Sequence, residues 1–69
     1  MPQVNVTING KVYRMACDDG QEAHLESLAE RLNETIDRLR GSFGEIGDQR
    51  LTVMAAITLG AELAEAHRR

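Results

Sequence analysis

This chain of 69 residues lacks most of the devices that stabilise very small domains. Cys17 is the only cysteine, so no disulfide can form within the chain. One cysteine and two distant histidines do not have the spacing of a metal site, and no metal or other cofactor is expected. A domain of this size buries only about 60% of its unfolded surface when it folds alone. Self-association is therefore the expected source of additional stability.

The charge and hydropathy of the chain exclude several classes of partner. The net charge is −3, which argues against binding to nucleic acid, because phosphate backbones are bound by an excess of Lys and Arg. The N-terminus has neither the basic region nor the apolar core of a secretory signal. No apolar run reaches the roughly 18 residues of a membrane span. We therefore expect a cytoplasmic protein with no membrane span.

Residues 4–16 have the pattern of a β-hairpin. Val4, Val6 and Ile8 alternate with polar residues, which is the period of a strand. Asn9-Gly10 is the preferred pair for a two-residue type I′ loop, because both residues tolerate positive φ. Such a loop pairs Ile8 with Lys11, Val6 with Tyr13 and Val4 with Met15. It also gathers an apolar set on one face: Val4, Val6, Ile8, Tyr13 and Met15.

Two helices are predicted after the hairpin. In the first, Asp19 and Glu22 resemble a capping box, Gly41 resembles a C-terminal stop, and apolar residues recur at helical spacing. That apolar stripe comprises Leu25, Leu28, Ala29, Leu32, Ile36 and Leu39. The second helix would begin at Asp48 as N-cap and run to the end of the chain. Its apolar residues occupy most of the helical wheel, which is typical of a helix covered on every side. Gly60 in its middle favours close approach of another helix.

Few residues suggest chemistry. Cys17 would need a base to act as a nucleophile, and His24 is the only plausible one. A small packing residue is the favoured interpretation of Cys17, and first-turn solvent exposure explains His24. No paired catalytic carboxylates, phosphate-binding glycine loop or metal motif is visible, so we expect no catalytic residues and a non-enzymatic protein.

Three segments together resemble the ZapA-type bacterial cell-division proteins. They are VNVTINGKVYRMAC (residues 4–17), HLESLAERLN (24–33) and RLTVMAAI (50–57), the last followed by Glu62-Leu63. The resemblance implies a non-enzymatic cytoplasmic scaffold at the mid-cell division site that binds the tubulin-like GTPase FtsZ and bundles or cross-links its filaments. It also implies homodimers that can assemble into antiparallel tetramers through coiled coils. The chain departs from the family pattern at Asp18-Asp19-Gly20, where Pro-Gly is usual after the cysteine.

With this resemblance, the predicted fold class is α+β. An N-terminal two-stranded antiparallel β-hairpin precedes two α-helices, of which the second is long and forms a dimeric, coiled-coil-like interface. Residues 1–47 would form a head, with the hairpin at 4–16, a helix at about 20–40 and a loop at 41–47. Residues 48–69 would begin the long dimerisation helix, and the whole would be one structural domain. Relatives typically continue this helix for several heptads.

Two sets of site residues are predicted on the same basis. The acidic surface expected of FtsZ favours contacts from basic residues on or beside the hairpin and first helix: Lys11, Arg14, Arg31, Arg38 and Arg40. The dimer interface would use one side of the second helix: Leu51, Met54, Ile57, Ala61 and Ala64. The alternative function is a small dimeric DNA-binding regulator of ribbon-helix-helix type, because a short strand with polar residues precedes two helices. The negative net charge and the Asn9-Gly10 hairpin argue against it.

Overall fold

The computed structural model describes residues 2–68 and confirms the α+β class. Two strands, β1 (Gln3–Ile8) and β2 (Lys11–Ala16), are followed by two helices, α1 (Glu22–Phe43) and α2 (Asp48–His67). The strands form a two-stranded antiparallel sheet. The chain divides into two compact units, residues 1–33 and 34–69, with the boundary inside α1. Among the described residues, no helix is long and apolar enough to span a bilayer.

The hairpin has the predicted register. Ile8 pairs with Lys11, Val6 with Tyr13 and Val4 with Met15. The loop residues Asn9 and Gly10 have φ values of 53° and 82°. Positive φ at both central residues is what a type I′ loop requires, and it matches the twist of the strands. The dipeptide in the loop therefore determines which face of each strand is apolar.

The core of the first unit lies against β1 and not against β2. Val4, Val6, Cys17 and Ala29 are buried, and Ile8 and Leu25 pack against them. Every residue of β2 is exposed, although its alternation places two large side chains on the same face as the core. These two are Tyr13 and Met15, which are 47% and 40% exposed. The β2 part of the apolar face of the hairpin is thus only partly covered in the single chain.

The prediction that Asp19 caps α1 is wrong. The backbone N–H of Gln21 donates to the carbonyl of Asp18 at 3.1 Å, which closes a turn before the helix. The N–H of Leu25 then donates to the carbonyl of Gln21 at 2.9 Å, and the helix begins at Glu22. Because Asp19 lies inside this turn, two residues before the first helical carbonyl acceptor, Gln21 occupies the capping position.

The connection between the helices also differs from the prediction at both ends. Gly41 lies inside α1, which ends at Phe43, and Gly44 follows with φ 82° while its N–H donates to the carbonyl of Arg40 at 2.8 Å. This left-handed residue is the usual way to end a helix. Gly47 is the N-cap of α2, so Asp48 lies in the first turn rather than at the cap. There its carboxylate complements the positive end of the helix dipole.

The second unit has a small core. Ile36 of α1 and Leu51 and Ala55 of α2 are almost completely buried, as is the polar Thr35. Two threonines of α2 satisfy their hydroxyls within the helix: Thr52 Oγ1 donates to the carbonyl of Asp48 at 2.9 Å, and Thr58 Oγ1 to that of Met54 at 2.8 Å. Such local bonds allow polar residues to lie on a largely apolar helix.

Candidate partner-binding surfaces

The hairpin carries positive charge on an acidic chain. Neither strand contains an acidic residue, whereas β2 contributes Lys11 and Arg14, both exposed. Lys11 lies opposite Ile8 and Arg14 lies opposite Asn5. Because side chains alternate along a strand, residues three apart point to opposite faces. The two predicted FtsZ contacts on the hairpin therefore lie on different faces of the same strand.

The three predicted contacts on α1 have different surroundings. Arg31 is exposed, in the part of α1 that belongs to the first unit. Arg38 forms an ion pair with Glu62 at 3.6 Å. Arg40 bonds Asp37 at 2.8 Å and Glu45 at 2.6 Å, so its guanidinium holds the end of α1 to the following loop. Arg40 thus has a structural role, which basic charge alone does not reveal.

The residues predicted for a dimer interface differ strongly in exposure. Leu51 is fully buried within the single chain and Met54 is partly buried. Ile57 is 67% exposed, and Ala61 and Ala64 are exposed as well. The buried side of α2 and the side available to a partner are therefore distinct.

The available side of α2 contains apolar residues that the sequence prediction did not include. Val53 and Leu63 are 52% and 59% exposed. At 100° per residue, these two and Ile57 lie on the half of the wheel opposite Leu51. No signal in the sequence separates them from Leu51, because a helix that is apolar around most of its wheel does not show which side the chain itself buries. We call Val53, Ala56, Ile57, Gly60, Leu63 and Ala64 the outer face of α2.

Small residues form a row along this outer face. Ala56, Gly60 and Ala64 are spaced by four, so they stack one turn apart. A Cβ built on Gly60 would have nothing within 4 Å. From Gly60 to Arg68 every residue is exposed. The single chain therefore gives no packing reason for a glycine here, whereas the close approach of a second helix would.

Asn33 joins α1 to the hairpin and was missed in the sequence analysis. Its Oδ1 accepts from the backbone N–H of Asn9 at 2.8 Å, and its Nδ2 donates to the carbonyl of Thr7 at 2.7 Å. An asparagine is a poor helix former, and one within an otherwise regular helix is a signal of such a role. The side-chain amide therefore makes the two hydrogen bonds that the backbone of a neighbouring strand would otherwise make at the end of β1.

An apolar groove lies beside the hairpin in the first unit. Its volume is about 140 Å³. Met15 and Leu28 bring exposed apolar surface to it, at 40% and 46% exposure. The lining residues are Val6, Ile8, Met15, Leu25, Leu28, Ala29 and Leu32. The groove can accept an apolar side chain of modest size.

Cys17 has the environment of a packing residue. It is buried, and its Sγ lies 3.9 Å from Glu22 Oε1 and 3.9 Å from the carbonyl oxygen of Pro2, which are alternative acceptors for its one S–H. Burial raises the pKa of the Cys17 thiol, and the nearby carboxylates of Glu22, Asp18 and Asp19 raise it further. A raised pKa keeps the thiol neutral and therefore poorly nucleophilic. Within residues 2–68, no cluster of three or more side chains could hold a metal ion.

Comparison with known proteins gives consistent matches. A family model described as "Cell division protein ZapA" matches residues 4–69. The chain is 37% identical over 60 residues to the cell division protein ZapA of Pseudomonas aeruginosa, covering 87% of this chain and 58% of that protein. It is 38% identical over 64 residues to an uncharacterized protein of Rickettsia prowazekii, covering 93% and 61%. The chain thus spans about three fifths of the length of these curated relatives.

A solved structure has the same fold. It is described as an unknown conserved bacterial protein from Pseudomonas aeruginosa PAO1, and it superposes with a TM-score of 0.86 at 33% sequence identity. The match covers 100% of this chain and 76% of that one. The similarity therefore extends over the hairpin and both helices.

Proposed function

The chain belongs to the ZapA family of cell division proteins, and from that membership we propose that it binds FtsZ at the division ring and promotes filament bundling through self-association. It acts as a non-enzymatic scaffold in the cytoplasm at mid-cell. Each copy contributes a hairpin that contacts FtsZ and a helix that joins it to another copy. Filaments are then linked because one assembly holds more than one FtsZ-binding surface.

The outer face of α2 is the observation that carries this function. Val53, Ile57 and Leu63 are each more than half exposed in the single chain, on a helix whose other side already supplies the buried Leu51 and Ala55. Apolar side chains aligned along one helix in this way are typical of a helix–helix interface. The homodimer interface therefore uses Ile57 and Ala64 of the outer face directly, with Met54 and Ala61 at its edge, while Leu51 supports α2 from within the chain. Pairs of dimers would give the tetramer.

The positive charge of the hairpin supports FtsZ binding. Lys11 and Arg14 are exposed on an element without carboxylates, in a chain whose net charge is −3. A basic element of this kind attracts an acidic partner surface and sets the rate and the salt dependence of association. Lys11 and Arg14 are thus the main contacts, and Arg31, Arg38 and Arg40 on α1 add to them. Arg38 and Arg40 also pair with carboxylates of the same chain.

The DNA-binding alternative receives no support. A ribbon-helix-helix dimer pairs strands from two chains, whereas β1 here pairs with β2 of the same chain. The family match is to cell division proteins. The function that we propose therefore remains that of a division scaffold.

Co-sedimentation with polymerised FtsZ tests the proposal. The chain is mixed with FtsZ and GTP over a range of chain concentrations and at two salt concentrations, and the pelleted fraction is measured together with light scattering. We expect saturable binding that weakens as salt is raised, because exposed charges are screened. The same chain without FtsZ is sedimented to obtain its association state. Absence of binding at low salt would refute the FtsZ partnership, and binding by a strictly monomeric chain would refute self-association.

A further inference from the structure

The two edges of the sheet differ in how they are protected. In a hairpin with a two-residue loop, the pair next to the loop exchanges both of its hydrogen bonds, and bonded pairs then alternate along the strands. The N–H of Cys17 donates to the carbonyl of Pro2 at 3.1 Å, so these two residues form a bonded pair where the alternation requires one. Thr7 therefore presents its carbonyl outward from β1, and Asn33 binds it. Asn33 thus blocks the end of the β1 edge nearest the loop.

The edge of β2 has no such protection. The same alternation directs the backbone N–H and C=O groups of Val12, Arg14 and Ala16 away from β1. Within residues 2–68, these groups have no backbone hydrogen-bond partner, and the whole strand is exposed. Natural sheets usually cover or distort an edge of this length, because it can pair with another strand. An edge that is open along its whole length and lies beside exposed basic and apolar side chains is suited to strand addition.

The side chains of β2 indicate which kind of strand would fit. One face of the strand carries Val12, which is 68% exposed, and Arg14. The other face carries Lys11 next to the loop and then Tyr13 and Met15, and Met15 lines the apolar groove. An added strand would alternate in the same way, with acidic side chains beside Arg14 and Lys11 and apolar side chains toward the groove. Main-chain bonds would supply affinity and the two faces would supply selectivity.

We propose that β2 is a docking edge for an extended acidic peptide segment with apolar residues at alternate positions, which adds as a third strand. Because the segment is taken to belong to the division partner, this step rests on the proposed binding of FtsZ. A second copy of β2 fits the edge less well. Self-pairing would bring two copies of Lys11 and of Arg14 onto one sheet that contains no carboxylate, and like charges on neighbouring strands are destabilising.

A proline substitution tests the edge without changing any charge. In Val12→Pro the outward N–H is removed while the bonds to β1 are kept, since proline is tolerated where the N–H of an edge strand faces solvent. The matched control is Asn5→Pro, which removes the equivalent outward N–H from β1. Val12→Ala is a second control that shortens the side chain and keeps the N–H. Circular dichroism checks that each variant is folded.

Co-sedimentation with polymerised FtsZ should separate these variants. We expect Val12→Pro to bind about five- to tenfold more weakly than the wild-type chain, from the lost hydrogen bond and the intruding ring. Asn5→Pro and Val12→Ala should bind within about twofold of the wild type. If Val12→Pro binds as well as Asn5→Pro while Arg14→Glu binds weakly, strand addition is refuted and FtsZ binding by surface charge stands. If the wild-type chain does not bind at all, the proposed function itself fails.

Hydrogen exchange decides the question even if Val12→Pro does not fold. The wild-type chain is exchanged with and without FtsZ polymer, and fragmentation mass spectrometry resolves single amides. The N–H groups of Val12, Arg14 and Ala16 should slow by at least about tenfold with FtsZ, because they become hydrogen-bonded, while that of Asn5 should not. Unchanged exchange at all three would overturn the proposal. Protection that appears without FtsZ and grows with chain concentration would also overturn it, in favour of a second copy as occupant.

Discussion

Replacing Ile57 by glutamate is the sharpest test of the outer face of α2. Ile57 is 67% exposed in the single chain, so the substitution removes little buried surface from the folded monomer. In a dimer that uses this face, the same position is covered by the partner helix. Ile57→Glu should therefore leave a folded, helical chain that no longer pairs.

The size of the effect follows from that exposure. Complete burial of an isoleucine side chain is worth about 1.5–3 kcal/mol, of which about two thirds remains to be gained on pairing. Two copies per dimer give about 2–4 kcal/mol, or a dimer Kd raised by about 30- to 700-fold at 1.4 kcal/mol for each factor of ten. Burying an unpaired carboxylate adds a further penalty, so the expected rise in the dimer Kd lies toward the upper end of this range.

Sedimentation equilibrium at several concentrations measures the dimer Kd, and circular dichroism measures helical content. Ala66→Glu is the matched control, because it adds the same charge to the same helix nine residues further on, which is half a turn around the wheel. It should leave the dimer Kd within about threefold of the wild type, since exposed surface substitutions have small effects. An Ile57→Glu chain that dimerises as tightly as Ala66→Glu would refute the assignment of the outer face.

Three further predictions follow from single residues. Arg14→Glu should weaken co-sedimentation with FtsZ by at least about tenfold, because it reverses a charge on β2. It should leave the dimer Kd unchanged, because α2 is not altered. Unaltered co-sedimentation would remove Arg14 from the proposed site. Asn33→Ala should lower the free energy of unfolding by about 1–2 kcal/mol, because two hydrogen bonds are lost. The Tm should therefore fall by about 4–16 °C at fixed protein concentration. A Tm within a degree of the wild type would show that these bonds contribute nothing to stability. Cys17 should react with a thiol reagent at pH 8 at least about tenfold more slowly than an unfolded peptide, because the fold favours the neutral thiol. For the same reason, the unfolding free energy should fall as the pH rises past the ordinary thiol pKa of about 8.5, and this loss should be absent in Cys17→Ala. Equal reaction rates in the folded chain and the unfolded peptide would contradict the raised pKa. So would an equal pH dependence of stability in the wild-type and Cys17→Ala chains.

The hairpin could be predicted from the sequence because local chemistry determines it. Asn9-Gly10 strongly favours one loop geometry, and that loop sets the register of every pair in the strands. The helix ends were less predictable, since several residues offered the same signal. Both Gly41 and Gly44 can end a helix, and the choice of Gly44 coincides with the ion pair from Arg40 to Glu45 just beyond it.

The candidate surfaces depended more on tertiary structure. A helix as evenly apolar as α2 indicates that it is covered on more than one side, but it does not indicate which side the chain itself buries. Leu51 was predicted for the dimer interface and lies in the core of the single chain, whereas Val53 and Leu63 are exposed. Likewise, basic residues are visible in a sequence, but their ion pairs to Asp37, Glu45 and Glu62 are made by folding.

The row of small residues on α2 has a consequence for where the protein becomes ordered. From Gly60 onward the helix has only exposed side chains, and a glycine costs about 1 kcal/mol relative to alanine within a helix. Short helices without tertiary packing are marginal in water. Under the proposed assembly, these last turns gain stability only when a second copy is near. The helical content of these turns would then rise with the local concentration of the chain. They would be most ordered where many copies collect and least ordered when the copies are dispersed through the cell.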